Sequence, residues 1–314
     1  MRKVMASLPL LALAAASPVT GQTTTVPPPV AGPAAADDKL DIAEADRRMT
    51  VPVSIGTAGP FQFVIDTGAE RTVVSRELAG SLGLMPGRTV RVTTMAGTSR
   101  IDTVLLPLLK VSRIAPEMIE APAVEARNLG APGMLGLDAL KGHAVAIDFD
   151  ANVMTLRPSS KRELPVGLDD IVVRAKNLYG QLIVTNARYR GRRISVIIDT
   201  GSPVTVGNSA LLAAIRKPKA LGRINLLSVT GEWLGADYTN VDSMEIGGIG
   251  FQNIPVAFAD ALPFRRFGLG NSPALLLGMD TLRLFRRVSV DFANREVRFT
   301  LPRNVGVRFP DQRP

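Results

Sequence analysis

The chain is written twice. Residues 64–68 read Val-Ile-Asp-Thr-Gly and residues 197–201 read Ile-Ile-Asp-Thr-Gly. Residues 134–138, Met-Leu-Gly-Leu-Asp, return at 276–280 as Leu-Leu-Gly-Met-Asp. Residues 145–149, Val-Ala-Ile-Asp-Phe, return at 288–292 as Val-Ser-Val-Asp-Phe, and Asn152 and Asn294 stand in the turns that follow. Self-similarity in this order means two copies of one supersecondary unit, so any fold must use the same set of elements twice. The middle of the second copy is slightly longer.

The repeated unit reads as mainly β. Residues 50–57 alternate as a strand does, Gly59-Pro60 has turn chemistry, and Phe61 to Ile65 forms a strand ending at Asp66. In the second copy Leu182 to Thr185 is a strand, the arginine-rich stretch 188–193 turns, and Ile194 to Ile198 runs into Asp199. Helical pattern is scarce. Ser75 to Leu82 has a capping serine and a terminating Gly83, and Asn208 to Ile215 is its counterpart. Asp138–Leu140 and Asp280–Leu284 start short helices, where Asp138 and Asp280 are read as caps. Gly247-Gly248-Ile249-Gly250 reads as a hairpin turn and no phosphate loop.

The expected organisation is an export signal at 1–22, a Pro/Ala/Thr-rich spacer at 23–44, a first lobe at 45–157, a linker at 158–168, a second lobe at 169–303 and a tail at 304–314. Arg2 and Lys3, the apolar run Leu8 to Ala16 and the small residues Ala14 to Ser17 match an export segment, and the run is short for a membrane span. The sequence therefore predicts a secreted or periplasmic protein with no integral membrane segment after cleavage. The acidic run Asp37, Asp38, Asp41, Glu44 and Asp46 reads as a solvated face without calcium-loop spacing.

Composition removes several chemistries. There is no cysteine, so thiol nucleophiles, thiolate metal sites and disulfides are excluded, and the fold must be held by packing. The only histidine is His143, in a short loop with a surface or packing role, so multi-histidine metal sites are excluded as well. The net charge is +9 with 5% aromatic residues, which makes a basic surface without the stacking platform that nucleic-acid binding uses. The sequence thus predicts no metal, no cofactor and no nucleic-acid partner.

What remains is the pair of aspartates. An Asp at the end of a buried apolar strand is costly unless it is satisfied. The glycine after Asp-Thr permits a tight turn with backbone N–H groups aimed at the carboxylate. Two such turns meeting face to face bring Asp66 and Asp199 close enough that both cannot ionise readily, and one proton is then held between them. The ionised member activates a water and the protonated member donates to a carbonyl oxygen.

With these residues in view, the chain resembles the retroviral-type (retropepsin-like) aspartic protease superfamily, in particular its exported bacterial two-lobed members, which are distantly related to the pepsin-like proteases. The likeness spans roughly residues 45–303. It implies two tandem closed β-barrel lobes related by a pseudo-two-fold axis and an aspartic endopeptidase acting on a peptide or protein substrate as a monomer. It implies Asp66 and Asp199 as catalytic residues, Thr67 and Thr200 as cross-lobe hydrogen-bond formers, and Gly68 and Gly201 as turn glycines. Gly136 and Gly278 belong to supporting elements behind the turns. It also implies a flap hairpin in each lobe, around Met95 and Gly97 in the first and Gly231 and Trp233 in the second. The first flap lacks a tyrosine, as in retroviral-type flaps. Two departures stand out: Leu137 and Met279 replace the basic residue often found after the supporting glycine, and Glu70 stands where viral enzymes often carry an acid. The rival expectation is a non-catalytic peptide-binding or scaffold protein on the same fold.

Overall fold

A computed structural model describes residues 38–303 apart from 42, 46, 47, 117, 141, 160–166, 168, 179 and 180. The export segment, most of the spacer and linker, and the tail lie outside the described residues. The first lobe is one curled sheet. Its strands run in the spatial order Ala43–Ala45, Arg48–Ile55, Ala58–Ile65, Gly133–Leu135, Val73–Ser75, Met118–Val124, Thr98–Pro107 and Pro86–Thr93. Leu109–Lys110 then returns to pair with Arg48–Ile55 and curls the sheet towards closure. The second lobe repeats this order with Asp170–Leu178, Gln181–Tyr189, Arg192–Ile198, Ala274–Leu277, Val206–Gly207, Ile249–Phe258, Trp233–Ile246 and Lys219–Leu227. Here Trp233–Ile246 closes back on Gln181–Tyr189.

Between the lobes lies a sheet that both halves build. His143–Asp148 of the first half pairs antiparallel with Arg287–Asp291 of the second, with Ala146 opposite Ser289. Outside this pair stand Val153–Pro158 and Asp38–Asp41 on one side, and Glu296–Thr300 and the start of Asp170–Leu178 on the other. The strand Asp38–Asp41 thus plays for the first half the part that residues 170–174 play for the second. This corrects the spacer assignment: residues 38–41 and 43–45 are strands, and Leu40 is buried in the core.

Local chemistry explains the helices. Ser75 caps Arg76–Ser81 by accepting from the Leu78 N–H at 3.1 Å, and Asn208 caps Ser209–Leu212 by accepting from Leu211 N–H at 3.0 Å. Two further short helices, Ala126–Leu129 and Leu262–Arg266, carry no strong pattern in the sequence. The turn before Ala58–Ile65 falls at Gly56-Thr57, not at Gly59-Pro60, which lies inside the strand. Gly56 takes the left-handed backbone (φ 58°) that this turn needs. Gly247-Gly248 is the expected hairpin turn.

One apolar cluster runs through both lobes and the shared sheet. Phe285 and Phe299 sit in it with ring centroids 4.6 Å apart, and Phe251 meets Phe285 edge-on at 5.5 Å. Phe299 is fully buried. Phe299→Ala is expected to cost about 3–5 kcal/mol of stability, read by chemical denaturation, because the shared sheet leaves little room to collapse on the cavity.

Candidate active site

Each catalytic-type turn is held by a short strand passing behind it. Gly133–Leu135 runs parallel to Ala58–Ile65 and antiparallel to Val73–Ser75, and Ala274–Leu277 does the same between Arg192–Ile198 and Val206–Gly207. Asp66 N–H donates to Leu135 O at 3.0 Å, and Asp199 N–H donates to Leu277 O at 3.1 Å. Gly136 and Gly278 end these strands. A Cβ on Gly136 would collide with the Arg71 carbonyl, and one on Gly278 with the Val204 carbonyl, so only glycine fits either place.

Thr72 and Thr205 tie the arrangement together. Thr72 Oγ1 accepts from Gly136 N–H at 3.1 Å and donates to Asp138 Oδ1 at 2.7 Å; Thr205 Oγ1 accepts from Gly278 N–H at 3.1 Å and donates to Asp280 Oδ1 at 2.7 Å. Asp138 and Asp280 are therefore not the helix caps expected of them, since Gly278 holds the N-cap position of Met279–Leu282 and Asp138 follows Leu137 into its helix. They sit in the first turn of their helices and clamp the loop that follows each Asp-Thr-Gly. Leu137 and Met279, where an ion pair is missing, bond only through backbone, their N–H groups donating to Ala69 O and Ser202 O at 2.9 Å. Asp138→Ala is expected to cost roughly 1–3 kcal/mol, because the fully buried Thr72 loses the acceptor of both its N–H (2.8 Å) and its hydroxyl. Urea denaturation checks this.

The two turns meet through their threonines. Thr67 Oγ1 donates to Ile198 O at 3.1 Å and Thr200 Oγ1 donates to Ile65 O at 2.8 Å. In return Thr67 N–H donates to Thr200 Oγ1 at 3.0 Å, and Thr200 N–H to Thr67 Oγ1 at 3.3 Å. Both threonines are buried. Gln181 adds another link between lobes by donating from Nε2 to Gly68 O.

Asp66 and Asp199 face each other above this network, both beside Gly68. Gly68 N–H donates to Asp66 Oδ1 at 2.7 Å, and Gly201 and Ser202 N–H groups donate to Asp199 Oδ1 at 3.1 and 3.2 Å. A Cβ on Gly68 would stand 2.8 Å from Asp199 Oδ1, and one on Gly201 would run into the Asp66 carboxyl, so each glycine makes room for the opposite aspartate. Burial raises Asp66, opposed by the Gly68 N–H, the positive Arg48 and the Ala69 N–H. Burial, then the negative charge of Asp66, pushes Asp199 up to about 8. Burial thus raises both carboxyls, and the negative charge of Asp66 further opposes ionisation of Asp199.

The expected flaps are the hairpins Pro86–Thr93 with Thr98–Pro107, and Lys219–Leu227 with Trp233–Ile246. Each crosses to the opposite lobe. Met95 packs on the second lobe's cluster around Phe264, and its carbonyl accepts from Leu262 N–H at 3.2 Å. Val229 packs on the first lobe's cluster around Leu129, and a Cβ on Gly231 (φ 95°) would stand 2.9 Å from Asn128 Nδ2. Gly97 has ordinary backbone and a Cβ there would meet only the Glu232 side chain at 3.9 Å, so this turn does not require its glycine. Trp233 is 65% exposed, which excludes barrel packing.

Sequence reasoning missed several contributors. Glu232 Oε1 accepts from Ser99 at 2.6 Å and so joins the two hairpins, while Ser228 and Thr230 donate to Oε2. Glu70, for which the sequence leaves open an arginine partner or solvent, pairs with Arg266 at 2.6 Å across the lobes, so only the partner's identity was missed. Thr72 and Thr205 stand at the same distance after each Asp-Thr-Gly, a signal that lining up the two copies would have exposed.

These turns, supporting strands and doubled lobes define two aspartyl protease domains in tandem, retropepsin-like in kind. The family model described as gag-polyprotein putative aspartyl protease matches residues 51–142, and the one described as aspartyl protease matches residues 185–281. Each match contains one Asp-Thr-Gly and its supporting glycine. No curated protein matches the chain. Among the described residues no helix is long and apolar enough to cross a membrane.

Proposed function

We propose that this chain is an aspartic endopeptidase in which Asp66 and Asp199 hydrolyse peptide bonds with an activated water, without metal or cofactor. The observation that carries the reading is the buried pair itself, both carboxyls closing on Gly68 above a floor of cross-lobe threonine bonds. A non-catalytic scaffold has no use for two desolvated carboxyls kept this close. An extended substrate would lie over the pair and under the hairpins, bonded through its backbone. Met95 and Trp233 are the proposed side-chain contacts from above. Both lobes come from one chain, so the active unit is a monomer, and the basic, cysteine-free composition with its leading apolar segment fits export to the periplasm or beyond. The test is cleavage of a diverse peptide library by the mature chain from pH 3 to 8, beside Asp66→Asn. Cuts that vanish in the variant support the reading; cuts that persist, or no cuts by either protein, overturn it.

The hairpins must part to admit substrate, and Glu232 is the tie that resists this. Its hydroxyl donors, Ser228 first, then Ser99 and Thr230, hold the carboxyl down at about 2. Glu232 therefore remains ionised, and the tie remains intact, as pH falls from 8 to about 3; any acid activation must arise elsewhere. Glu232→Ala is expected to increase amide exchange at residues 94–100 and 228–233 by about tenfold, a change of about 1.4 kcal/mol in local opening. Hydrogen-exchange mass spectrometry checks it.

A further inference from the structure

The two turns treat their aspartates almost alike. Each carboxyl receives backbone N–H bonds from its own turn, from Gly68 for Asp66 and from Gly201 and Ser202 for Asp199. Each turn is backed by the same strand, threonine and clamp. The extra Ser202 N–H bond favours the charged form of Asp199, so these parts do not make Asp199 the acid. The opposing difference lies one strand away. Thr50 pairs with Val64, and the same register carried two residues on sets Arg48 opposite Asp66. In the second lobe Ile183 pairs with Ile197, and two residues on Gln181 stands opposite Asp199. Matched positions thus hold a full positive charge in one lobe and a neutral amide in the other.

Both side chains are buried, Arg48 6% exposed and Gln181 6% exposed. Arg48 is held by Nη2 donating to Leu129 O at 2.6 Å, and Gln181 by its bond to Gly68 O. A fixed cation in a poorly solvated site acts on a nearby carboxylate far more strongly than one at the surface. The main charge acting on Asp66 is that of Arg48, and the main charge acting on Asp199 is that of Asp66. The other nearby carboxylates are engaged elsewhere: Glu70 by Arg266, Asp138 by Thr72 and Asp280 by Thr205.

We propose that Arg48 is a positioning residue that decides which aspartate holds the proton, making Asp66 the water-activating base and Asp199 the acid. This rests on the endopeptidase reading for its catalytic meaning, though the proton's location exists with or without turnover. Burial raises both carboxyls, while the charge of Arg48 lowers Asp66 and the charge of Asp66 raises Asp199.

The test has two readouts. Carboxyl-carbon NMR titration of Asp66 and Asp199 follows the proton directly and needs no substrate. The pH profile of kcat/KM, on any peptide the wild-type chain cleaves, follows the base through its acid limb. Arg48→Gln is expected to move the Asp66 titration and the acid limb up by about one unit or more, so that kcat/KM below the limb falls about tenfold. Arg48→Lys restores most of the wild-type profile, which a purely structural role for the guanidinium would not allow. Gln181→Arg lowers the Asp199 titration by a similar amount and leaves the acid limb in place. If Arg48→Gln does not fold, the Arg48→Lys and Gln181→Arg variants carry the test. Titrations of Arg48→Gln that superimpose on wild type, a Gln181→Arg variant with Asp199 unmoved, or a wild-type chain in which Asp199 ionises before Asp66 would each overturn the proposal. A chain that cuts no peptide yet titrates as described leaves the proton assignment standing and sinks the endopeptidase reading alone.

Discussion

Asp199→Asn is expected to abolish peptide cleavage and, in the same protein, to stabilise the fold at pH 8. The two effects share one cause. Folding moves the Asp199 carboxyl from an ordinary value near 3.8 up to about 8. Between those values the folded chain binds more protons than the unfolded one, so stability falls as pH rises through the window. The loss is largest above pH 8, where Asp199 must ionise while buried beside a charged Asp66. Asparagine keeps the shape and a hydrogen-bond donor but cannot ionise. Each unit of displacement corresponds to about 1.4 kcal/mol, which puts the gain on the order of a few kcal/mol at pH 8 and near zero at pH 4. Thermal unfolding of both proteins at the two pH values reads it, with peptide turnover alongside. A variant equally stable or less stable at pH 8 would mean that Asp199 is not the strained member of the pair. A variant that still cleaves would remove Asp199 from the chemistry.

Thr200→Val should be the most damaging single change that leaves both aspartates in place. The hydroxyl serves two partners across the lobe boundary, accepting from Thr67 N–H at 3.0 Å and donating to Ile65 O at 2.8 Å. Valine matches the volume and supplies neither bond. Two backbone groups beside a 1% exposed side chain are then left buried without their partner, at roughly 1–3 kcal/mol each. Ile65 directly precedes Asp66, so the loss falls on the base of the first Asp-Thr-Gly turn. Activity is expected to drop by at least a hundredfold, since misplacement of reacting groups by about an ångström costs that much. Thr200→Ser should retain most of both. Urea denaturation and turnover of the two variants distinguish the lost hydroxyl from the lost methyl.

The doubling of Asp-Thr-Gly, of the apolar-apolar-Gly elements and of the Val-x-x-Asp-Phe strands was legible because each is local and each occurs twice. The β character of the unit and the caps Ser75 and Asn208 were legible for the same reason, since caps and strand alternation act over a few residues. The helices at 126–129 and 262–266 were not, because four or five residues leave no period to read. The strands at 38–41 and 43–45 were hidden by their polar, alanine-containing sequence. Their place is set by pairing with Val153–Pro158 and Arg48–Ile55, and not by their own propensity. The site beyond the two turns was harder still. Glu232 meets Ser99, Glu70 meets Arg266, and Gln181 meets Gly68, each through contacts that span the two halves. Spacing along one chain does not encode such contacts, although counting back equally from each Asp-Thr-Gly does reach Arg48 and Gln181 together.

The central antiparallel pair, His143–Asp148 with Arg287–Asp291, has an evolutionary consequence. When two identical subunits assemble around such an axis, every mutation appears twice, and neither subunit can acquire a residue that the other lacks. Here both halves are encoded in one reading frame and joined through one sheet, so each can drift alone while the other preserves the shared floor. The nine residues Lys219–Leu227 can vary without any matching change in the eight of Pro86–Thr93. The two hairpins can then diverge by separate mutations, a freedom that a gene with a single copy of the unit does not have.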